Sequence, residues 1–80
     1  MNQYVATFHT HVSALISCRT LTGRGVSARM APVPRRLSSS CGTCVFYEAD
    51  GPLLDAMDQD VEQVCRIDGE QSYTTLFHNE

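Results

Sequence analysis

The chain contains no lysine. All six basic side chains are arginines, and five of them (Arg19, Arg24, Arg29, Arg35 and Arg36) precede the first acid, Glu48, while all nine acids and only Arg66 follow from that point. The net charge of −3 therefore hides a positive first half and a negative second half, which a folded surface can neutralise across itself. The basic stretch is short and lacks interleaved aromatics, so no nucleic-acid partner is expected. No apolar run approaches the length needed to span a bilayer, which removes membrane proteins of the helical type. The N-terminus has no basic start, and His9, Thr10, His11 and Ser13 interrupt what would be the apolar stretch of a signal peptide, so the expected location is cytoplasmic, with no membrane partner. Eighty residues make one small domain, 1–80, with little room in its core for a deep substrate cavity, and a large multistep enzyme is not expected. At 42% hydrophobic and 19% charged residues the composition is globular, not disordered.

Against these absences stands one concentrated feature. Residues 32–44 read Pro-Val-Pro-Arg-Arg-Leu-Ser-Ser-Ser-Cys-Gly-Thr-Cys, two thiols beside two fixed positive charges with no acid among them. Cysteine acts as nucleophile, carrier or ligand in its thiolate form, which nearby arginines, hydroxyls and free backbone N–H groups stabilise. Cys41 and Cys44 are the candidate reacting thiols, and Arg35, Arg36, Ser38, Ser39, Ser40 and Gly42 are the candidate anion-stabilising groups. A disulfide framework would need an oxidising compartment, and in the cytoplasm a Cys-x-x-Cys pair is more often redox-active, sulfur-handling or metal-binding. Cys18 and Cys65 stand alone in periodic segments and read as core residues. One Cys-x-x-Cys is half of a tetrahedral metal site, and His9, His11 and His78 could complete it only if the fold gathered them, so no metal and no other cofactor is expected. His9 and His11, at a strand-to-helix junction, read as capping or surface groups, and no oriented acid and base partner points to protease chemistry.

Gln3–Phe8 reads as a buried strand. Thr10 offers an N-cap to a helix whose stripe is Val12, Leu15, Ile16 and Leu21, widened by Ala14 and Cys18, with Gly23 as its stop. Val26–Val33 alternates as a second strand before Pro32 and Pro34, and Val45–Tyr47 is a short third. After the turn Asp50-Gly51-Pro52, Leu53, Leu54, Met57 and Val61 share one face of an expected second helix, with Asp55, Asp58, Asp60 and Glu62 on its solvated face. Val64–Ile67 is a fourth strand, and after the Asp68-Gly69 turn, Tyr73–His78 is either an edge strand or a tail. The expected class is α+β: a ferredoxin-like split β-α-β-β-α-β sandwich, with two helices on one face of an antiparallel sheet. The loop at 32–44, oversized for a hairpin, is the expected functional element.

The strand ending in Pro32-Val33-Pro34, the basic and serine-rich loop and the Cys41-Gly42 it delivers, together with Tyr4–His11, the Ala14-Leu15 helix and Gly25-Val26-Ser27-Ala28-Arg29, resemble a small bacterial family of selenium or sulfur carrier-like proteins, a domain of unknown function. That resemblance implies a carrier rather than a stand-alone enzyme. Its Cys41 would hold a persulfide or perselenide, and its partners would be chalcogen donor and acceptor proteins, such as a cysteine desulfurase. Cys44 enters by spacing alone, as a thiol able to resolve a persulfide. Two alternatives stay open at this level, a thiol–disulfide redox module using both cysteines and a metal-binding or protein-interaction module. So do the choice between sulfur and selenium and a homodimeric state.

Overall fold

In a computed structural model, which describes residues 1–79, the chain runs β1 (Asn2–Phe8), α1 (His11–Gly23), β2 (Ser27–Pro32), β3 (Thr43–Ala49), a single 3₁₀ turn (Leu54–Ala56), β4 (Val61–Gly69) and β5 (Ser72–His78). The five strands form one sheet in the order β2-β3-β1-β4-β5. Every neighbouring pair is antiparallel. Thus β1 and β2 point the same way with β3 between them, and α1 makes the crossover. β1 is central because Tyr4–Phe8 supplies five consecutive residues that tolerate burial on both faces.

Alternation along the strands sorts the side chains onto two faces. Under α1 lie Tyr4, Ala6, Phe8, Val45, Tyr47 and Val64 with Ala14 and Leu21 from the helix, and Cys18, Met30 and Phe77 pack at its margin. The Tyr4 and Tyr47 rings stack 5.2 Å apart. Among the described residues no helix covers the opposite face. Its smaller cluster is Val5, Cys44 and Cys65, flanked by Val33, Leu37, Phe46, Ile67 and Tyr73.

α1 begins as expected: Thr10 is extended, and its hydroxyl accepts the backbone N–H of Ser13 at 3.1 Å. Thr10→Ala should therefore lower stability by about 1 kcal/mol. An unchanged urea midpoint would show that the cap contributes nothing. The buried stripe differs from the expected one, however. Ser13, Ala14, Ser17 and Leu21 face the sheet, while Val12 and Ile16 are exposed at 62% and 45%. Small side chains let the helix lie close to the strands, and the Ser17 hydroxyl accepts the Asp58 backbone N–H at 2.8 Å.

Among the described residues the expected second helix is absent, and with it the ferredoxin-like, two-helix sandwich: the fold they form is a mostly-sheet, five-stranded antiparallel structure with one helix. Leu53 sits in the left-handed region at φ 51° and Met57 is extended, so only the three residues between them turn. Of the aspartates that read as a solvated helix face, Asp58 acts as a turn group, while Asp55 pairs with Arg24. Asp58 Oδ2 accepts the Asp60 N–H and its carbonyl accepts the Val61 N–H, an alternative to helical bonding that short polar side chains favour. β4 runs Val61–Gly69, so the expected strand Val64–Ile67 is its middle part, extended at both ends. Tyr73–His78 lies within β5 as an edge strand.

Candidate functional site at one end of the sheet

The segment 33–42 joins β2 to β3 and wraps around the end of the sheet. It is closed at its base by the Val33 N–H donating to the Gly42 carbonyl at 3.1 Å, and Gly42 adopts φ +75°, a conformation that suits glycine as the chain re-enters β3. A turn follows at once, with the Leu37 N–H donating to the Pro34 carbonyl. Arg35 and Arg36 stand exposed at its tip and form no salt bridge among the described residues. Val33 and Leu37 pack onto the helix-free face beside Cys44. Arg36, Leu37 and Ser38 border a shallow polar groove with Gln63, Tyr73 and Thr75.

From there the three serines stitch the chain to the ends of β1 and β4. The Ser38 carbonyl accepts Gln63 Nε2 at 3.4 Å, and the Ser39 hydroxyl donates to the Phe8 carbonyl at 3.0 Å. The Ser40 hydroxyl donates to Glu62 Oε2 at 2.8 Å, and its backbone N–H is shared between the two carboxylate oxygens at 3.2 and 3.3 Å. Cys41 then emerges on the helix-covered side, half-buried against the main core. Its Sγ lies 3.9 Å from the Ser39 hydroxyl and 3.6 Å from the Thr43 carbonyl, to which it donates. On one flank His11 Nδ1 meets the Thr43 hydroxyl at 3.3 Å. On the other, His9 Nδ1 is 3.4 Å from Glu62 Oε2 and 3.5 Å from the Ser40 hydroxyl.

The two thiols of the Cys-x-x-Cys element are not side by side. Cys44 is the second residue of β3, completely buried in the cluster on the helix-free face, and its Sγ donates to the Pro32 carbonyl at 3.6 Å. Burial pushes its thiol up to about 11, with Arg29 pulling down and Cys41 pushing up as smaller influences. Burial likewise raises Cys18, which is half-buried against the main core, and Cys65, which is fully buried beside Val5.

The shift at Cys44 has a stability consequence. An unfolded thiol titrates near 9 and the folded one near 11, so the stability gained by keeping this proton is complete below pH 9 and is lost as pH rises through 11. Denaturation of wild type and Cys44→Ala across pH 8–11 should show a shallower decline in the variant. Parallel curves would mean that Cys44 does not titrate differently in the two states.

Of the residues proposed from sequence, Ser39 touches Cys41 through its hydroxyl, Ser38 through its carbonyl and Ser40 through its hydroxyl and N–H hold the loop, Gly42 turns it, and Arg35 and Arg36 occupy its far tip. Glu62, His9, His11 and Thr43 complete the neighbourhood. Nothing in the sequence points to Glu62 in particular, which is 22 residues from Ser40 and reads as part of a solvated helical face. Among the described residues no group of three or more His, Cys, Asp or Glu side chains is placed to hold a metal ion, and no helix is long and apolar enough to cross a membrane.

A family model described as "Putative Se/S carrier protein-like" matches residues 3–57, the segment from β1 through the cysteine loop to the 3₁₀ turn. No curated protein and no solved structure matches the chain.

Proposed function

The chain belongs to the Se/S carrier-like family, and from that premise we propose that it carries sulfur or selenium on Cys41 as a persulfide or perselenide, passed from a donor protein to an acceptor in a reducing, cytoplasmic compartment. The observation that carries this reading is the placement of Cys41. It is the cysteine in the long loop at the sheet end, outside the regular elements and beside a hydroxyl, whereas Cys44 and Cys65 are fully buried and resist ionisation. A carrier needs an accessible thiol and no enclosing pocket.

Loading requires no outside oxidant. The Cys41 thiolate attacks the terminal sulfur of a donor persulfide, the donor S–S bond breaks, the donor leaves as thiolate, and Cys41 holds the new S–S bond. Delivery repeats the exchange with an acceptor nucleophile and returns the Cys41 thiolate. Ser39 is placed to donate to the sulfur when it is anionic, exchanging its bond to the Phe8 carbonyl, and Arg35 and Arg36 add positive potential from the tip of the loop. The redox-pair alternative fares worse because Cys41 and Cys44 lie on opposite faces of the sheet, and thiols whose Cβ vectors point apart cannot be bridged without moving the backbone.

Incubating the folded protein with a cysteine desulfurase and cysteine, or with the same class of enzyme and selenocysteine so that the donor is an enzyme-bound perselenide, should add one chalcogen atom, mapped to Cys41 by intact-mass and peptide analysis without reductant. Equal labelling of Cys18 or Cys65 in folded protein, or a Cys41–Cys44 disulfide as the sole product, would count against the carrier.

A further inference from the structure

Glu62 lies on β4, beyond the segment matched by the family model, and the carrier reading gives it no role. Yet its carboxylate is where three separate parts of the fold meet: the serine loop through Ser40, the β1–α1 junction through His9, and β4 itself. Its side chain is only 16% exposed, and both atoms that Ser40 can donate with, the hydroxyl and the backbone N–H, are spent on it. Partial burial alone would raise the carboxyl. The hydrogen bonds from Ser40 and the nearby His9 outweigh that and hold it below the usual carboxylate range. Hydrogen bonds to an ionised acceptor are among the stronger ones a loop can have. Cys41 is the next residue, and its thiol is tucked against Ser39 and Thr43 rather than projecting freely.

We propose that Glu62 is a positioning residue that latches the serine loop to β4 through Ser40 and so sets how far the Cys41 thiol is open to a reaction partner. With the latch closed the sulfur rests half-covered at the sheet end; release of Ser40 frees the chain between the Ser39–Phe8 and Val33–Gly42 bonds and lets Cys41 turn outward. The use of this latch in transfer rests on the carrier reading. The latch itself is a property of the free thiol and can be measured without cargo.

The test is the rate of alkylation at each cysteine in folded protein, resolved by peptide mapping, for wild type, Glu62→Ala, Glu62→Gln and Ser40→Ala. Glu62→Ala should accelerate Cys41 by roughly tenfold, the factor corresponding to ~1.4 kcal/mol of lost latch interaction, with Cys44 and Cys65 as slow as in wild type. Glu62→Gln keeps a neutral acceptor for Ser40 and should recover part of the wild-type rate. Ser40→Ala removes the hydroxyl bond at an exposed site and should give a smaller acceleration, which keeps the test available if Glu62→Ala folds poorly. Cys41 rates within about twofold of wild type in both alanine variants, or a parallel rise at Cys44 and Cys65, would overturn the latch. An accelerated Cys41 in a protein that never takes up chalcogen would leave the latch standing and remove the carrier. Normal loading with unaltered alkylation would do the reverse.

Discussion

Cys41→Ser protein, folded like wild type, should take up no sulfur or selenium from a donor, whereas Cys44→Ser should load fully. The contrast follows from placement rather than from sequence spacing. Cys41 sits half-buried in the loop at the sheet end, while Cys44 is enclosed with Val5 and Cys65 on the far face and its thiol is pushed up to about 11. The Cys44 substitution has a different cost. A serine hydroxyl in this apolar cluster retains the Pro32 carbonyl as its one evident acceptor and should lower stability by about 1–3 kcal/mol. Mass spectrometry of donor-treated variants and parallel urea titrations separate the two effects. A Cys44→Ser protein that folds and fails to load would place Cys44 in the chemistry and sink this assignment.

Phe8→Ala should be the most damaging single change to the fold, costing about 3–5 kcal/mol. Phe8 closes β1, is completely buried between the sheet and α1, and is the largest fully buried side chain. A domain of this size has roughly 4–12 kcal/mol in total, so the variant should be partly unfolded at 25 °C and all four cysteines should become reactive. The cavity is the cause, since the backbone carbonyl that holds Ser39 remains. A loss below about 1.5 kcal/mol would mean that α1 collapses onto the vacated space far more readily than close packing usually allows.

The parts of the fold governed by local chemistry were legible. Thr10 marked the helix start, Gly23 its end, and the alternation of Val26, Ala28 and Met30 against Ser27, Arg29 and Ala31 identified β2 and its inward side. What failed depended on tertiary context. Val12 and Ile16 fit a helical stripe as well as Ser13 and Ser17 do badly, but a helix lying close to a sheet selects for size before hydrophobicity. Leu53, Leu54, Met57 and Val61 matched a helix period, yet a left-handed Leu53 and the turn-forming Asp58 leave only one 3₁₀ turn. The cysteine loop was visible from composition and from family resemblance alike. Its anchoring was not, because Ser40 meets Glu62 across 22 residues and no periodicity reports such a meeting. The Cys-x-x-Cys spacing does not report surroundings: Cys41 packs at the margin of the helix-covered core, while Cys44, inside β3, belongs to the cluster on the other face.

The separation of Cys41 from Cys44 by the thickness of the sheet also bears on time. A persulfide beside a second thiol is short-lived, because the neighbour attacks the inner sulfur, closes a disulfide and expels the outer atom as sulfide. With Cys44 sealed on the other face, a sulfur or selenium atom carried on Cys41 as proposed would have no such internal exit. Its lifetime is then governed by encounters with outside nucleophiles, so that small thiols should discharge the loaded protein at a rate first order in their concentration, extrapolating to nearly zero when none is present.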